Sequence, residues 1–439
     1  MDDDASQKLL DEATAVLKAN DRGSYTVPSG DLYPHQWLWD SCFIAIGLRH
    51  MDVERAQAEL TSLLRGQWAN GMLPHIIFFN GAQDFGQKLQ EGWLNPHAPS
   101  GVATSGLTQP PMLAEAVVRV GQKLKLPERR TWYGQMYPHL LAYHQWLYED
   151  RDLGTGLIGL LHPYESGLDD SPPWISIVHQ HAWPWWLKIL DATGADRILG
   201  LLRRDTRHVK IAERMDNAEV IAYWALLHSL RSKAYDSRAI LKKPKLVVED
   251  LAFNCIFIRA NQQLAAIAKT IGKSLPQELV DNIRATEDGL EQLWDEASGQ
   301  YYSYSFGDGG LIHESTIATL LPLYSGCVSK ERAEQLVSLM KKRGEFRTNW
   351  PVPSVPLSSA FFDPIKYWQG PSWVNTNWLI IDGLKLYGFE KEAAELKENT
   401  LRMVAKSGCY EYFSPIDASP AGAANFSWTA ALTIDLLKS

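Results

Sequence analysis

Cysteine is scarce in this chain: four among 439 residues, at positions 42, 255, 327 and 409, with no CxxC pair. Each lies among apolar or aromatic neighbours, so all four are expected to be buried free thiols. Positive charge is in short supply too. Lys and Arg number 43 against 51 Asp and Glu, a net charge of −8, which leaves no basic field to hold phosphates. Nucleic acid is thereby excluded as a partner, and a neutral or weakly charged small ligand fits better. No apolar run approaches the roughly 18 residues that span a bilayer, so no membrane association is expected. The opening MDDDASQKLL puts acids where a secretory signal needs basic residues, which predicts a cytoplasmic protein. No Pro-, Gly- or Ser-rich linker divides the chain, and no His/Asp/Glu trio has ligand spacing. One domain over residues 1–439 is expected, with no metal and no other cofactor; a homo-oligomer is compatible with this composition.

Apolar residues recur at helical spacing through most of the sequence, in about fourteen stretches: 5–19, 39–50, 53–67, 108–124, 130–149, 175–191, 216–234, 249–272, 276–296, 313–326, 329–342, 372–387, 389–406 and 427–438. Asp52 is the expected N-cap of VERAQAELTSLL, Ser274 and Gln277 form a capping box, and Gly388 ends a helix. Alternating strand patterns are few, so the class is all-α. Stretches such as IAYWALLHSL and WVNTNWLIIDGL are apolar on nearly all sides, as the inner ring of a double ring of helices requires. The longest aperiodic stretch, 79–107, carries Phe79, Phe85 and Trp93, which argue for an ordered active-site lid over a disordered loop.

Tryptophan is abundant, 17 in all. Its flat apolar face and N–H donor suit stacking on a sugar ring, and many of these residues stand in polar strings (QWLWD, PPWIS, YWQGPSW, FSWTA) that point to a ligand surface. Four segments combine aromatics with chemistry-bearing groups. In YPHQWLWD (33–40), Asp40 offers a hydroxyl acceptor beside Trp37 and Trp39, and also suits an N-cap. In HPYESGLDDSPPW (162–174), Glu165, Asp169 and Asp170 crowd one loop. Their repulsion beside apolar walls would raise the pKa of one of them, as a general acid needs. In KYWQGPSWVN (366–375), Tyr367, Trp368, Gln369 and Trp373 present a stacking and hydrogen-bonding edge. In YEYFSP (410–415), Glu411 has no Lys or Arg within four residues, so a local surface salt bridge does not explain it.

YPHQWLWDSCF, ATSGLTQPP, YESGLDDSPPW, YWQGPSW and YEYF…NFSWTAA, in this order from about residue 30 to the C-terminus, resemble glycoside hydrolase family 63, and above all its short bacterial glucosylglycerate and mannosylglycerate hydrolases. The resemblance implies an (α/α)6 barrel and inverting hydrolysis of a small α-glycoside, with Asp169 as general acid and Glu411 as general base. It also implies a sugar site built from Tyr33, Trp37, Trp39, Asp40, Gln109, Tyr164, Glu165, Trp368 and Trp428, joined by Tyr367 and Gln369.

Two departures bear on the substrate. Gln369 stands where the family usually has Arg, and Phe426 where a polar residue is usual. The basic string Arg203, Arg204, Arg207, Lys210 and Arg214 could supply the missing positive charge, though a solvated face is the more ordinary role for such a string. Other readings compete: another small glucoside as substrate, a carbohydrate-binding barrel without catalysis, a trehalase- or glucoamylase-like enzyme, or a sugar isomerase using His75, His179 or His181.

Overall fold

The computed structural model describes residues 2–79, 81–82, 84–187, 203, 205–244 and 246–439. Positions 188–191 of the expected 175–191 helix, Arg204 of the basic string, and Asn80 and Gln83 of the long loop lie outside the described residues. The chain folds mainly into helices that come in pairs, one buried on nearly all sides and one amphipathic. Helix Leu38–Leu48 is buried at every residue, because its LWDSCFIAIGL string offers no polar stripe for water. Helix Val53–Leu63, with its polar outer face, packs on it. The same arrangement joins Leu113–Gly121 to Leu126–Arg151, Leu251–Thr270 to Gln277–Leu290, and Pro322–Ser325 to Lys330–Met340. It also joins Val374–Leu386 to Glu390–Ser407, and Ser427–Lys438 to Asp3–Asn20. The six buried members touch one another in chain order, and Ser427–Lys438 returns to Leu38–Leu48.

Local signals explain several boundaries. The Asp52 carboxylate accepts from Arg55 N–H at 2.9 Å and starts its helix as expected. Gly388, at φ +78°, ends another in the left-handed conformation that glycine adopts without strain. Two capping expectations fail. Helix Gln277–Leu290 starts after Pro276 with no side-chain cap, so Ser274 plays no part. Trp37 occupies the N-cap position before Leu38–Leu48, and Asp40 lies inside the first turn. The stretch IAYWALLHSL, expected in the inner ring, lies in helix Asn217–Arg231, which packs on helix Phe85–Gln90.

Short strands qualify the all-α expectation by pinning loops. Gln36–Trp37 pairs with Ile76–Ile77, Tyr410–Phe413 pairs antiparallel with Pro420–Ala424, and four two-residue strands form one small sheet. The described residues of the 79–107 stretch include helix Phe85–Gln90, which Asp84 caps through Gln87 N–H at 2.8 Å. Phe85 meets Trp224 edge-on, and Phe79 stacks on Tyr25.

At their C-terminal ends the buried helices share a network of charges. Arg49 and His50 each reach Asp435 Oδ1 at 2.7 Å, and Trp378 Nε1 reaches Oδ2 at 2.9 Å. Arg119 pairs with Glu115 and Asp382. Cys42, Cys255 and Cys409 are buried, Cys327 is half-buried, and all four are free thiols. Among the described residues no helix is long and apolar enough to cross a membrane.

Candidate active site

At the opposite, N-terminal ends of these helices lies a cavity of about 210 Å3. Its walls come from segments far apart in sequence. Trp37, Trp39 and Asp40 enter at the start of Leu38–Leu48, Gln109 before Leu113–Gly121, Tyr367 and Trp368 before Val374–Leu386, and Trp428 in the first turn of Ser427–Lys438. Helix N-termini leave unpaired N–H groups and a positive dipole end, which favours polar and anionic groups there.

Two carboxylates dominate the chemistry. Asp169 is half-buried in the wall, and Tyr367 O–H donates to its Oδ2 at 3.4 Å while Tyr223 O–H donates to its backbone carbonyl at 2.7 Å. Burial pushes its pKa up to about 7, against the lowering effects of the Tyr367 hydrogen bond and the Arg214 charge. Burial beside the apolar wall, as expected, is the largest cause, and Glu411 adds to it; the expected repulsion from Glu165 and Asp170 is not among the causes. Glu165 points away from the cavity, and Arg151 holds it with two hydrogen bonds of 2.7 and 2.9 Å. Leu161 N–H adds a third at 2.8 Å, so Glu165 fastens the loop. Asp170 is buried behind the wall, where Gln369 Nε2 donates to its Oδ2 at 2.7 Å. Burial, with Glu219 nearby, raises the Asp170 pKa well above the usual carboxylate range.

Glu411 faces the same cavity from the hairpin Tyr410–Ala424. Its Oε1 accepts from Tyr33 O–H at 2.8 Å and from Arg214 Nη1 at 3.2 Å, and its Oε2 from Ala423 N–H at 2.9 Å. The bulge in the hairpin leaves Gly422 at φ +72°, where an added Cβ would fall 2.6 Å from Glu411 Oε2. Glycine alone satisfies both demands. Arg214 also donates to Tyr33 Oη at 2.6 Å and lies over the Tyr33 and Tyr367 rings, at 5.7 and 4.9 Å. Asp40, buried in the same wall, has its pKa pushed well up by burial. Tyr367 sits at φ +31°, a strained conformation for a residue with a side chain and one that proteins retain at functional positions.

Residues 33–429 match the model of the mannosylglycerate hydrolase MGH1-like glycoside hydrolase domain. The chain belongs to that family. A mannosylglycerate hydrolase of Thermus thermophilus is 39% identical over 426 residues, covering 96% of this chain and 99% of the relative. A glucosylglycerate hydrolase of Mycolicibacterium hassiacum is 31% identical over 450 residues, covering 98% of each. The structure of a Thermus thermophilus mannosylglycerate hydrolase of glycoside hydrolase family 63, in complex with Tris and D-glycerate, superposes with a TM-score of 0.86 at 37% identity, covering 97% of this chain and 99% of the other. The chain is therefore a glycoside hydrolase of family 63.

In this glycoside hydrolase, Tyr33, Trp37, Trp39, Asp40, Gln109, Tyr164, Asp169, Tyr367, Trp368, Glu411 and Trp428 all line the one cavity. Glu165 and Gln369 do not. Of the tryptophan strings, PPWIS contributes to the core, because Trp174 is fully buried and donates to Asp250 at 3.0 Å. Trp373 lies behind Trp368, stacked on it at 3.7 Å. The basic string divides: Arg207 and Lys210 are exposed, whereas Arg203 and Arg214 are buried and line the cavity. Phe426 lines it as well, edge-on to Tyr33 and Trp428. His181 pairs with Asp308 outside the cavity. His75 lines it, but burial pulls its pKa down to about 3, so it carries no charge there. Arg203, Asp205, His35, Asp84, Gln87 and Gln90 also line the cavity. His35 stands in the aromatic segment 33–40 and Asp84, Gln87 and Gln90 in the expected lid, though none is singled out there, and the basic run is the signal for Arg203.

Proposed function

We propose that this enzyme hydrolyses a small α-glycoside with an acidic aglycone, of the glucosylglycerate or mannosylglycerate type, with inversion at the anomeric carbon. The observation that carries the proposal is the pair of unequal carboxyl groups on one cavity. Asp169, with its pKa raised to about 7, holds a proton for the leaving oxygen near neutral pH. Glu411, in contact with Arg214 and bonded to Ala423 N–H, is the group that would activate water from the other side. Trp37, Trp39, Trp368 and Trp428 supply faces for the sugar ring. Arg214 gives the wall a cation beside which an aglycone carboxylate costs little to bury. The closed order of contacts among six buried helices, each with an amphipathic partner, supports an (α/α)6 barrel in one domain. The 79–107 segment is proposed as its lid, since Gly86, Gln87 and Gln90 of that segment reach the cavity wall.

A panel of glucosylglycerate, mannosylglycerate, glucosylglycerol, kojibiose, trehalose and amylose tests the proposal. The two glycerates are expected to be hydrolysed about tenfold or more faster, in kcat/KM, than the neutral glycosides, the worth of one charge-assisted contact. Amylose should release little glucose, because a cavity closed by a lid accepts few sugar units. Rapid glucose release from amylose, or preference for a neutral disaccharide, overturns the assignment.

Trp37 is half-buried and meets the cavity, so Trp37→Ala should lower kcat/KM by about a hundredfold with little change in melting temperature, the loss of a stacked face and its oriented neighbours. Trp368→Ala should show a similar kinetic loss together with a lower melting temperature, because Trp368 is 1% exposed and stacked on Trp373. Near-normal kinetics in both would make these rings core residues.

A further inference from the structure

Two consecutive residues, Glu213 and Arg214, grip both strands of the hairpin that carries Glu411, at Glu411 and Tyr412 on one and at Gly422 on the other. Glu213 is buried, and its Oε2 accepts from Gly422 N–H at 3.0 Å. The next amide, Ala423 N–H, turns the other way and donates to Glu411 Oε2 at 2.9 Å. On the opposite strand Tyr412 O–H donates to the Glu213 backbone carbonyl, while Arg214 reaches Glu411 itself. The bulge thus splits adjacent N–H groups between two carboxylates, one outside the cavity and one on it.

Such an arrangement needs a cause. Gly422 lies at φ +72° with no side chain to hold it, so the bulge has little intrinsic preference for the conformation that aims Ala423 N–H at Glu411. A buried carboxylate is expensive unless well partnered. Among the described residues, the partner of the Glu213 carboxylate apart from the Gly422 amide is Lys210 Nζ at 3.3 Å, on a side chain 84% exposed. Packing alone would be served more cheaply by an apolar residue.

We propose that Glu213 is a positioning residue: by latching the Gly422 amide it holds the bulge so that Ala423 N–H and Arg214 fix the Glu411 carboxylate. The inference rests on the reading of Glu411 as the general base. Loss of the latch frees the bulge and the 213–214 segment together, and the carboxylate loses both an amide donor and a fixed cation. The other groups facing Glu411 are Tyr33, Tyr367 and Tyr412 with Asp40 and Asp169.

The test compares kcat and its pH profile in full-length Glu213→Ala, Glu213→Asp and Glu213→Gln with Glu411→Gln. Glu213→Ala should lower kcat on the order of 10- to 100-fold, the cost of a misplaced reacting group. Its acid limb should move to higher pH, because the base loses partners that favour its ionised form. Glu213→Asp, one methylene too short to reach the amide, should shift both in the same direction and covers the case in which the Ala variant does not fold. Glu213→Gln keeps an acceptor for Gly422 N–H and should restore most of kcat. Ala and Asp variants that melt earlier yet keep kcat and the acid limb overturn the latch. An active Glu411→Gln enzyme overturns the base assignment instead, so the two failures are distinct.

Discussion

Asp169→Asn and Glu411→Gln are each expected to lose at least roughly a thousandfold in kcat, from the acid–base contribution together with lost positioning of the attacking water. The wild-type rate should be bell-shaped in pH. Asp169 must be protonated to donate, and burial places its pKa at about 7, so the rate should fall as pH rises through that region. Glu411 must be ionised to accept, so the rate should also fall in acid, with both limbs belonging to the coupled pair. Asp169→Asn removes the titrating acid and should abolish the alkaline limb in whatever activity remains. Proton NMR of an α-glycoside reaction settles the stereochemistry. The β-anomer should appear first, as expected when water attacks from the face opposite the leaving group. An α-anomer appearing first would require a covalent intermediate and a nucleophile roughly 5 Å from the acid.

At the other end of the buried helices, Asp435→Ala should destabilise the fold by about 3–5 kcal/mol, read as a lower urea midpoint, because it leaves a buried guanidinium uncompensated. Asp435 Oδ1 accepts from both Arg49 and His50 at 2.7 Å, and Oδ2 from Trp378 at 2.9 Å, with every group nearly closed to solvent. The partners outweigh the desolvation, and the Asp435 pKa falls from 3.8 to about 2. A depressed carboxylate stabilises the fold fully above its unfolded value, and that contribution is lost as pH falls from about 3.8 through about 2. The wild type should therefore lose stability in that acid window, and Asp435→Asn should flatten the dependence. A change under about 1 kcal/mol in Asp435→Ala would mean that Arg49 and His50 find other partners or water.

Most helices were legible because their cause is local, and eleven of the thirteen residues expected at the sugar site line one cavity. A buried helix must be apolar all round, as in Leu38–Leu48, and a sugar site needs aromatics beside acceptors, as in QWLWD and YEYF. Glu165 and Gln369 do not line the cavity for one reason: a polar side chain in a rich segment can turn toward a ligand or toward a buried partner. The partners, Arg151 for Glu165 and Asp170 for Gln369, are named only by the fold. The same holds for Trp174, whose Asp250 lies 76 positions away. Capping at Ser274 failed because Pro276 begins that helix without help.

The sequence by itself determined the helical class and the family, since periodicity and ordered motifs survive in one dimension. Only the tertiary structure decided which groups share a dielectric environment and a hydrogen bond. Burial first, then Glu411 across the cavity, raises Asp169; Arg214, from a string that looked solvated, holds Glu411 across 197 positions; and Gly422 clears the space for that carboxylate. Desolvation and ion pairing fall off over a few ångströms of space whatever the separation along the chain, so no local pattern could have carried them.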